Sequence, residues 1–277
     1  MNHSFPKIIH QIWFNFDGKK EIPNFYHKNI ESWKINNRDW DYKIWDLESA
    51  EKIIKEDYPA YLNTFNRFKY NISKCDFFRY ILMNKFGGLY IDLDFLCLRP
   101  IDYLLDLLVQ KSLNELNNII ENYSIVLTEE WPNSSKKIET KLLGSSETIH
   151  NGVLISKKKH PFWLLLVDYC SHQSEKIDGD ENSVFSITGT KAIYNVYKKY
   201  QYYFNNISVL PNYYLCPIVC NLNDPNLFGF PEQNEYLKKT SEWKILQENI
   251  YDIDFIKKSI PWSYSILMSY GSMWKTN

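Results

Sequence analysis

The feature that most constrains this chain is a charged pair on an apolar helix face, followed by a double glycine and two closely spaced carboxylates. It occupies Asn71 to Asp94, NISKCDFFRYILMNKFGGLYIDLD. At about 100° per residue, Asp76 and Arg79 fall within roughly 60° of one another on a helical wheel. They point with Ile72, Cys75, Leu82, Met83 and Phe86. Charges placed there need a partner or a ligand, because burying either alone is very costly. After Gly87-Gly88 the period becomes two, with Leu89, Ile91 and Leu93 on one face and Tyr90, Asp92 and Asp94 on the other. Two carboxylates on one side of a strand end, with Tyr and Arg nearby, predict a metal and anion site.

At 277 residues the chain can bury a large core, and one α/β domain over 1–277 is expected. A net charge of −1 supplies no basic excess for phosphates, which argues against nucleic acid as a partner. Tyr (21), Phe (16) and Trp (9) are frequent, which suits either an aromatic core or a groove that stacks rings. The five cysteines are odd in number and lack paired zinc-type spacing. Reduced core thiols are expected, and with them a cytoplasmic setting. No run approaches the roughly 20 apolar residues that span a bilayer. The first strand begins by Lys7, which leaves no room for a signal peptide.

Along the chain, Lys7 to Phe14 reads as a buried strand with Trp13 at its end, where open α/β sheets place ligands. Pro23 opens a helix carrying Tyr26, Ile30 and Trp33, and Asp41 to Asp46 forms the second strand. Tyr58 to Tyr70 is expected to be helical, and the stretch from Asp94 to Arg99-Pro100 irregular. A helical 101–122, a strand at Ser124–Thr128 and a surface loop from Glu129 to Ser146 follow. Thr148 to Ile155 is a strand bearing His150 and Asn151. Pro161 opens an apolar helix, Glu175 to Asn182 is a charged loop, and a helix after Thr188-Gly189-Thr190 runs to Tyr200. Ile207 to Leu210 is a strand, 221–262 is irregular, and Ser263 to Ser269 is the last strand.

A paired Asp-x-Asp suits a hard divalent cation whose open positions phosphate oxygens complete. Such a cation stabilises charge developing on a departing phosphate. Glycosidase carboxylates flank a bond and need no metal. An aspartyl-phosphate enzyme would continue with a small Gly-Thr turn, whereas this chain continues Phe95-Leu96.

The block from Asp76-Phe-Phe-Arg79-Tyr80 to Gly87-Gly88-Leu-Tyr90-Ile-Asp92-Leu-Asp94 resembles the signature of glycosyltransferase family 32, whose core the glucosylating toxins share. Ile8 to Trp13, His150-Asn151-Gly152 and Thr188-Gly189 resemble further blocks. The resemblance implies a GT-A type nucleotide-diphospho-sugar transferase fold, an α/β architecture with a mixed central sheet flanked by helices. It implies a UDP- or GDP-sugar donor, a Mn²⁺ or Mg²⁺ ion and retention of anomeric configuration. Carried over by position, Trp13 would stack on the nucleobase, Asp76 and Arg79 would bind the donor sugar, and Tyr90 and Asp92 would contact ribose and sugar. Asp94 would bind the metal with Asp92 assisting, and Asn151 would lie near the reacting carbon. Ser272 and Trp274 resemble a C-terminal Ser-x-Trp that reaches the metal and β-phosphate. Here the chain departs from the family's His-rich, Gly-Ser-Trp ending, so a metal-side role for Ser272 stays open. A glycan or lipid-linked acceptor is expected, in the cytoplasm or at a membrane surface. A toxin-like protein glycosyltransferase and a non-catalytic sugar-nucleotide-binding module are the alternatives.

Overall fold

The computed structural model describes residues 5–15, 21–115, 123–130, 148–176, 183–215, 252–259 and 261–268. Strand β1 (Ile8–Ile12) is followed by a 3₁₀ turn (Asn24–Tyr26), helix α1 (His27–Asn36) and β2 (Asp41–Trp45). Helix α2 (Leu47–Asp57) starts at Asp46, whose carboxylate accepts the Ser49 N–H at 2.8 Å. A second 3₁₀ turn (Pro59–Tyr61) and α3 (Leu62–Arg67) lead to α4 (Asn71–Lys85), β3 (Gly88–Ile91) and β4 (Phe95–Cys97). Then come α5 (Ile101–Glu115), β5 (Ile125–Glu129), β6 (Ile149–Ser156), α6 (Pro161–Lys176), α7 (Ser183–Ile187) and α8 (Thr190–Tyr200). The chain closes with β7 (Ile207–Leu210), α9 (Ile253–Ser259) and β8 (Ser265–Leu267).

Among the described residues, six strands form one mixed sheet in the order β2-β1-β3-β6-β5-β7. Strands β1, β2 and β3 run parallel, β6 runs against both β3 and β5, and β7 is parallel to β5. The C-terminal ends of five strands and the start of β6 therefore share one edge. That edge holds Trp13, Asp92, Glu130, His150 and Asn151.

Alternating side chains sort to two cores. Ile12, Tyr90, Leu127 and Leu154 join Phe77, Tyr80, Phe162 and Trp163 on the face covered by α4, α6 and α8. Ile9, Leu89, Ile91, Val126 and Val153 join Trp33, Phe95, Ile101 and Leu104 on the other. Helix α4 is buried almost all round, from Cys75 through Asn84. It has no wet face to which a charge could turn.

Local elements differ from expectation at points of chain chemistry. Within Tyr58 to Tyr70 only Leu62–Arg67 is α-helical; Pro59 opens a 3₁₀ turn, and Phe68 leaves the helix at ψ 121°. Pro23 likewise precedes a 3₁₀ turn before α1. The region read as irregular contains α9, where Asp252 caps the helix by accepting the Phe255 N–H at 3.0 Å. Helix α6 runs through Glu175 to Lys176. Phe95 to Cys97 is a strand because β8, far along the chain, pairs with it. Glu129 is the last residue of β5 rather than the start of a loop. Residues 131–147, 216–251 and 269–277 lie outside the described residues, and with them Cys216, Cys220, Ser272 and Trp274. Cys75, Cys97 and Cys170 are buried free thiols.

The turn from α4 into β3 passes through Gly87 (φ 66°) and Gly88 (φ 85°). A Cβ on Gly88 would stand 2.4 Å from the Ile8 carbonyl oxygen, so β3 can lie beside β1 only without one. Behind this turn the His10 Nε2–H donates to the Gly87 carbonyl at 3.0 Å, and Nδ1 accepts the Trp45 indole N–H at 3.1 Å. The two partners define the neutral tautomer, and burial pushes the imidazole down to about 4.

Gly88→Ala is expected to cost roughly 2–5 kcal/mol, through overpacking and a disfavoured φ together, measured by denaturant unfolding. His10 also has a pH signature. Its folded-state value lies below the ordinary 6.5, so its contribution to stability is full above pH 6.5 and is lost as pH falls towards 4. The stability gap between wild type and His10→Gln should narrow by ~3 kcal/mol over that range, read by urea unfolding at successive pH values.

Candidate active site

Asp76 and Arg79 meet one turn apart on α4, with Arg79 Nη2 2.9 Å from Asp76 Oδ1. Both side chains are almost fully enclosed, so further polar partners are needed, and Arg79 Nε is the one guanidinium nitrogen buried without a hydrogen-bond partner among the described residues. Asp76 Oδ1 accepts from the Asn151 amide at 3.0 Å, and Oδ2 accepts from the Thr188 hydroxyl at 3.0 Å. Burial raises the Asp76 carboxyl to about 6 against the pull of Arg79 and Thr188. It therefore stays ionised at neutral pH. Arg79 Nη1 donates to the Asn151 carbonyl at 2.8 Å and stands 3.4 Å from both carboxylate oxygens of Asp92. Its guanidinium also covers the Tyr90 ring, 4.7 Å from the centroid.

Asp92 differs from the pair behind it. Its side chain is 32% exposed against 3% for Arg79, and it opens onto a cleft of about 160 Å³ lined also by Asp76, Arg79, Glu130, His150, Asn151 and Thr190. The Tyr90 hydroxyl donates to Asp92 Oδ1 at 2.5 Å, and the Asp92 N–H bonds to the Gly152 carbonyl at 2.8 Å. A Cβ on Gly152 would come within 2.4 Å of Asp92 Oδ2. The glycine thus lets this carboxylate fold against β6.

The alternation expected to carry Tyr90, Asp92 and Asp94 to one face stops at Ile91, where β3 ends. Residues 92–94 form a turn closed by the Phe95 N–H on the Asp92 carbonyl at 3.2 Å. The direction of Asp94 is therefore set by a turn, and Asp94 is not among the residues that line the cleft. Its Oδ1 is buried and, among the described residues, lacks a hydrogen-bond partner. Burial and the charge of Asp92 raise its carboxyl to about 7. Two adjacent carboxylates, one with a desolvated and unsatisfied oxygen, are a donor set that a hard divalent cation fits. The turn itself is braced from α1. Asn29 donates to the Leu93 carbonyl and Trp33 to the Phe95 carbonyl, both at 2.9 Å, while the Ser32 hydroxyl accepts the Cys97 N–H at 2.8 Å. From the other side the Met268 N–H donates to the Asp94 carbonyl at 2.7 Å.

Residues 23–125, just over a third of the chain, match the glycosyltransferase sugar-binding region containing a DXD motif. An uncharacterized glycosyltransferase of Acanthamoeba polyphaga mimivirus is 28% identical over 225 residues, covering 80% of this chain and 76% of that protein. Two mannosyl phosphorylinositol ceramide synthases of Saccharomyces cerevisiae are also similar. One is 28% identical over 201 residues, and the other is 40% identical over 100. The chain carries the DXD-motif sugar-binding region of glycosyltransferases, and these similarities support an assignment to glycosyltransferase family 32. The match to the two yeast synthases covers 72% and 36% of this chain, and 44% and 25% of theirs, less than half the length of either. Among solved structures, the PaToxG glycosyltransferase shows a TM-score of 0.44 at 15% identity, covering 98% of this chain and 82% of that one. The mixed sheet with helices on both faces agrees with the α/β architecture expected from the sequence.

Of the family residues assigned by sequence, Asp76, Arg79, Tyr90, Asp92 and Asn151 converge in one hydrogen-bonded group. Trp13 lies apart at the end of β1, 5% exposed and packed with Tyr26, Ile30 and Leu93. Its backbone N–H bonds to the Trp45 carbonyl at 2.8 Å. Thr188 and Glu130 belong to the site although sequence reasoning gave neither a role. Glu130 carried one usable signal, its position directly after an apolar strand. His150 is structural: its Nδ1 accepts the Gly152 N–H at 2.9 Å, and burial lowers it to about 4.

Arg79→Met should destabilise the fold by roughly 3–5 kcal/mol, because it strands a buried carboxylate. The Asp76→Leu/Arg79→Met double variant should recover part of that loss. Chemical denaturation of the three proteins checks both, and a double variant at least as destabilised as Arg79→Met would overturn the expected recovery.

Proposed function

We propose that the chain, read as one catalytic domain, is a metal-dependent retaining glycosyltransferase that uses a UDP- or GDP-sugar. The observation that carries this reading is the enclosed Arg79 guanidinium, fixed by Asp76 and Asn151 and presented beside Asp92 at a cleft. A preorganised cation at such a place stabilises charge on a departing diphosphate without reorganising, and its fork can grip sugar hydroxyls. Relatives named as mannosyl phosphorylinositol ceramide synthases favour a hexose donor and a glycan or lipid-linked acceptor, met at a membrane surface. No helix among the described residues is long and apolar enough to cross a membrane.

Asp94 and Asp92 would hold Mn²⁺ or Mg²⁺. Among the described residues no third His, Cys or carboxylate joins them. The remaining positions are thus left to water, phosphate oxygens and, by the family resemblance, Ser272. When bound, the ion supplies Lewis-acid neutralisation of the diphosphate. Met268 is hydrogen-bonded to the Asp94 backbone, and the family resemblance alone assigns Ser272 and Trp274 to the phosphate side.

Asp76 and Arg79 would orient the donor sugar, and Asn151 would sit near its anomeric carbon. Tyr90, whose hydroxyl is given to Asp92, would hold that carboxylate in place for its ribose or sugar contact. Trp13, in edge contact with Tyr26, is assigned to the nucleobase. In a front-face displacement the bond from the anomeric carbon to the phosphate oxygen breaks as the bond to the acceptor oxygen forms on the same face. The acceptor proton passes to the departing phosphate, so no separate base is assigned.

Asp94→Ala is expected to abolish Mn²⁺-dependent release of nucleoside diphosphate from the donor, and transfer with it, while the circular dichroism spectrum is kept. A screen of nucleotide sugars for diphosphate release identifies the donor. Full activity in Asp94→Ala would overturn the site assignment, and donor binding without turnover by wild type would mark a binding module.

A further inference from the structure

The site described so far leaves one carboxylate of the cleft without a task. Glu130 follows the last residue of β5 and lines the same cleft as Asp76, Arg79, Asp92 and Asn151. Its Oε2 is shut off from water and meets no hydrogen-bond partner among the described residues. A carboxylate oxygen in that position calls for an O–H or N–H donor beyond the described residues, which a bound ligand can supply. Burial also raises this carboxyl to about 7, although the hydroxyls of Thr148 and Thr190 lie near enough to oppose it.

The sheet order gives the distance across the cleft. Strand β5 is separated from β3 by β6 alone, so the two strand ends stand two spacings apart, roughly 10 Å. The Asp92 and Arg79 groups lie at one side of that gap and Glu130 at the other. A pyranose ring with its hydroxyls has the width to bridge side chains reaching in from both ends. Its hydroxyls are donors of the kind Glu130 lacks.

We propose that Glu130 accepts a hydrogen bond from a hydroxyl of the donor sugar, on the side of the ring away from Asp92, and so helps to determine which sugar is transferred. The proposal rests on the donor-sugar reading of this cleft. The competing role is structural, an anchor for the first turn of α8 through Thr190.

The experiment measures donor hydrolysis by wild type, Glu130→Gln and Glu130→Ala, alongside the affinity of each for the nucleoside diphosphate alone. Glu130→Ala should lower kcat/KM for the donor roughly ten-fold or more. Glu130→Gln, which keeps one acceptor oxygen and the side-chain shape, should lower it less. Diphosphate affinity should be unchanged in both. The ratio of kcat/KM between donors differing in the configuration of one hydroxyl should also shift. Unaltered kcat/KM and donor ratio in both variants would overturn the proposal, as would equal losses for the donor and for the sugar-free diphosphate. Should Glu130→Ala fail to fold, the isosteric Glu130→Gln decides by the same readings. A wild type that neither binds nor hydrolyses any nucleotide sugar overturns the donor-sugar reading itself, and this inference with it.

Discussion

Arg79 is a cation closed off from water, and the arrangement of three distant chain segments follows from satisfying it. Its partners come from α4 (Asp76), from the turn after β3 (Asp92) and from the start of β6 (Asn151). Each contact offsets part of a desolvation cost that no single one could meet. Apolar side chains would fill the same space without that cost. The charge sits where the core ends and a cleft begins, so its field acts on whatever enters. Thr188 and Asn151 complete the hydrogen bonding of Asp76, and this polar group joins the helical layer to the sheet edge.

Around this cation the fold distributes chemistry along one edge of the sheet. Parallel pairing of β1, β2 and β3 brings the residues after those strands to the same end, and the antiparallel β6 delivers its first residues there as well. Trp13 stands on the β1 side, the two aspartates at β3, Asn151 at β6 and Glu130 at β5. In the proposed function, an extended donor would lie across these strand ends. The aspartate turn is itself rigid. Its carbonyls are taken by Asn29, Trp33 and Met268, so the carboxylates are presented by a backbone with few unsatisfied groups.

Much of this was legible in the chain. The three-residue spacing of Asp76 and Arg79 on an apolar helix required a buried pair, and the structure contains it. Gly87-Gly88 marked the turn, and its positive φ values together with the close approach of Ile8 give the reason. Elements missed or misjudged depended on partners far along the chain. Phe95 to Cys97 is extended because β8 pairs with it, and Glu130 lines the cleft because β5 lies two strands from the aspartates. Asp94 turned out of the pleat because a hydrogen bond back to Asp92 ended the strand.

The sequence by itself determined the local units: which helix is buried on every side, where the chain turns, and which residue types carry charge into the core. These follow from periodicity, glycine geometry and the cost of burying charge, all of which act over a few residues. Only the tertiary structure decided which charges face each other, because strand order and register are set by pairing between segments tens of residues apart. It thereby separated Asp92, which meets Arg79, Tyr90 and the cleft, from Asp94, whose Oδ1 is buried without a hydrogen-bond partner among the described residues.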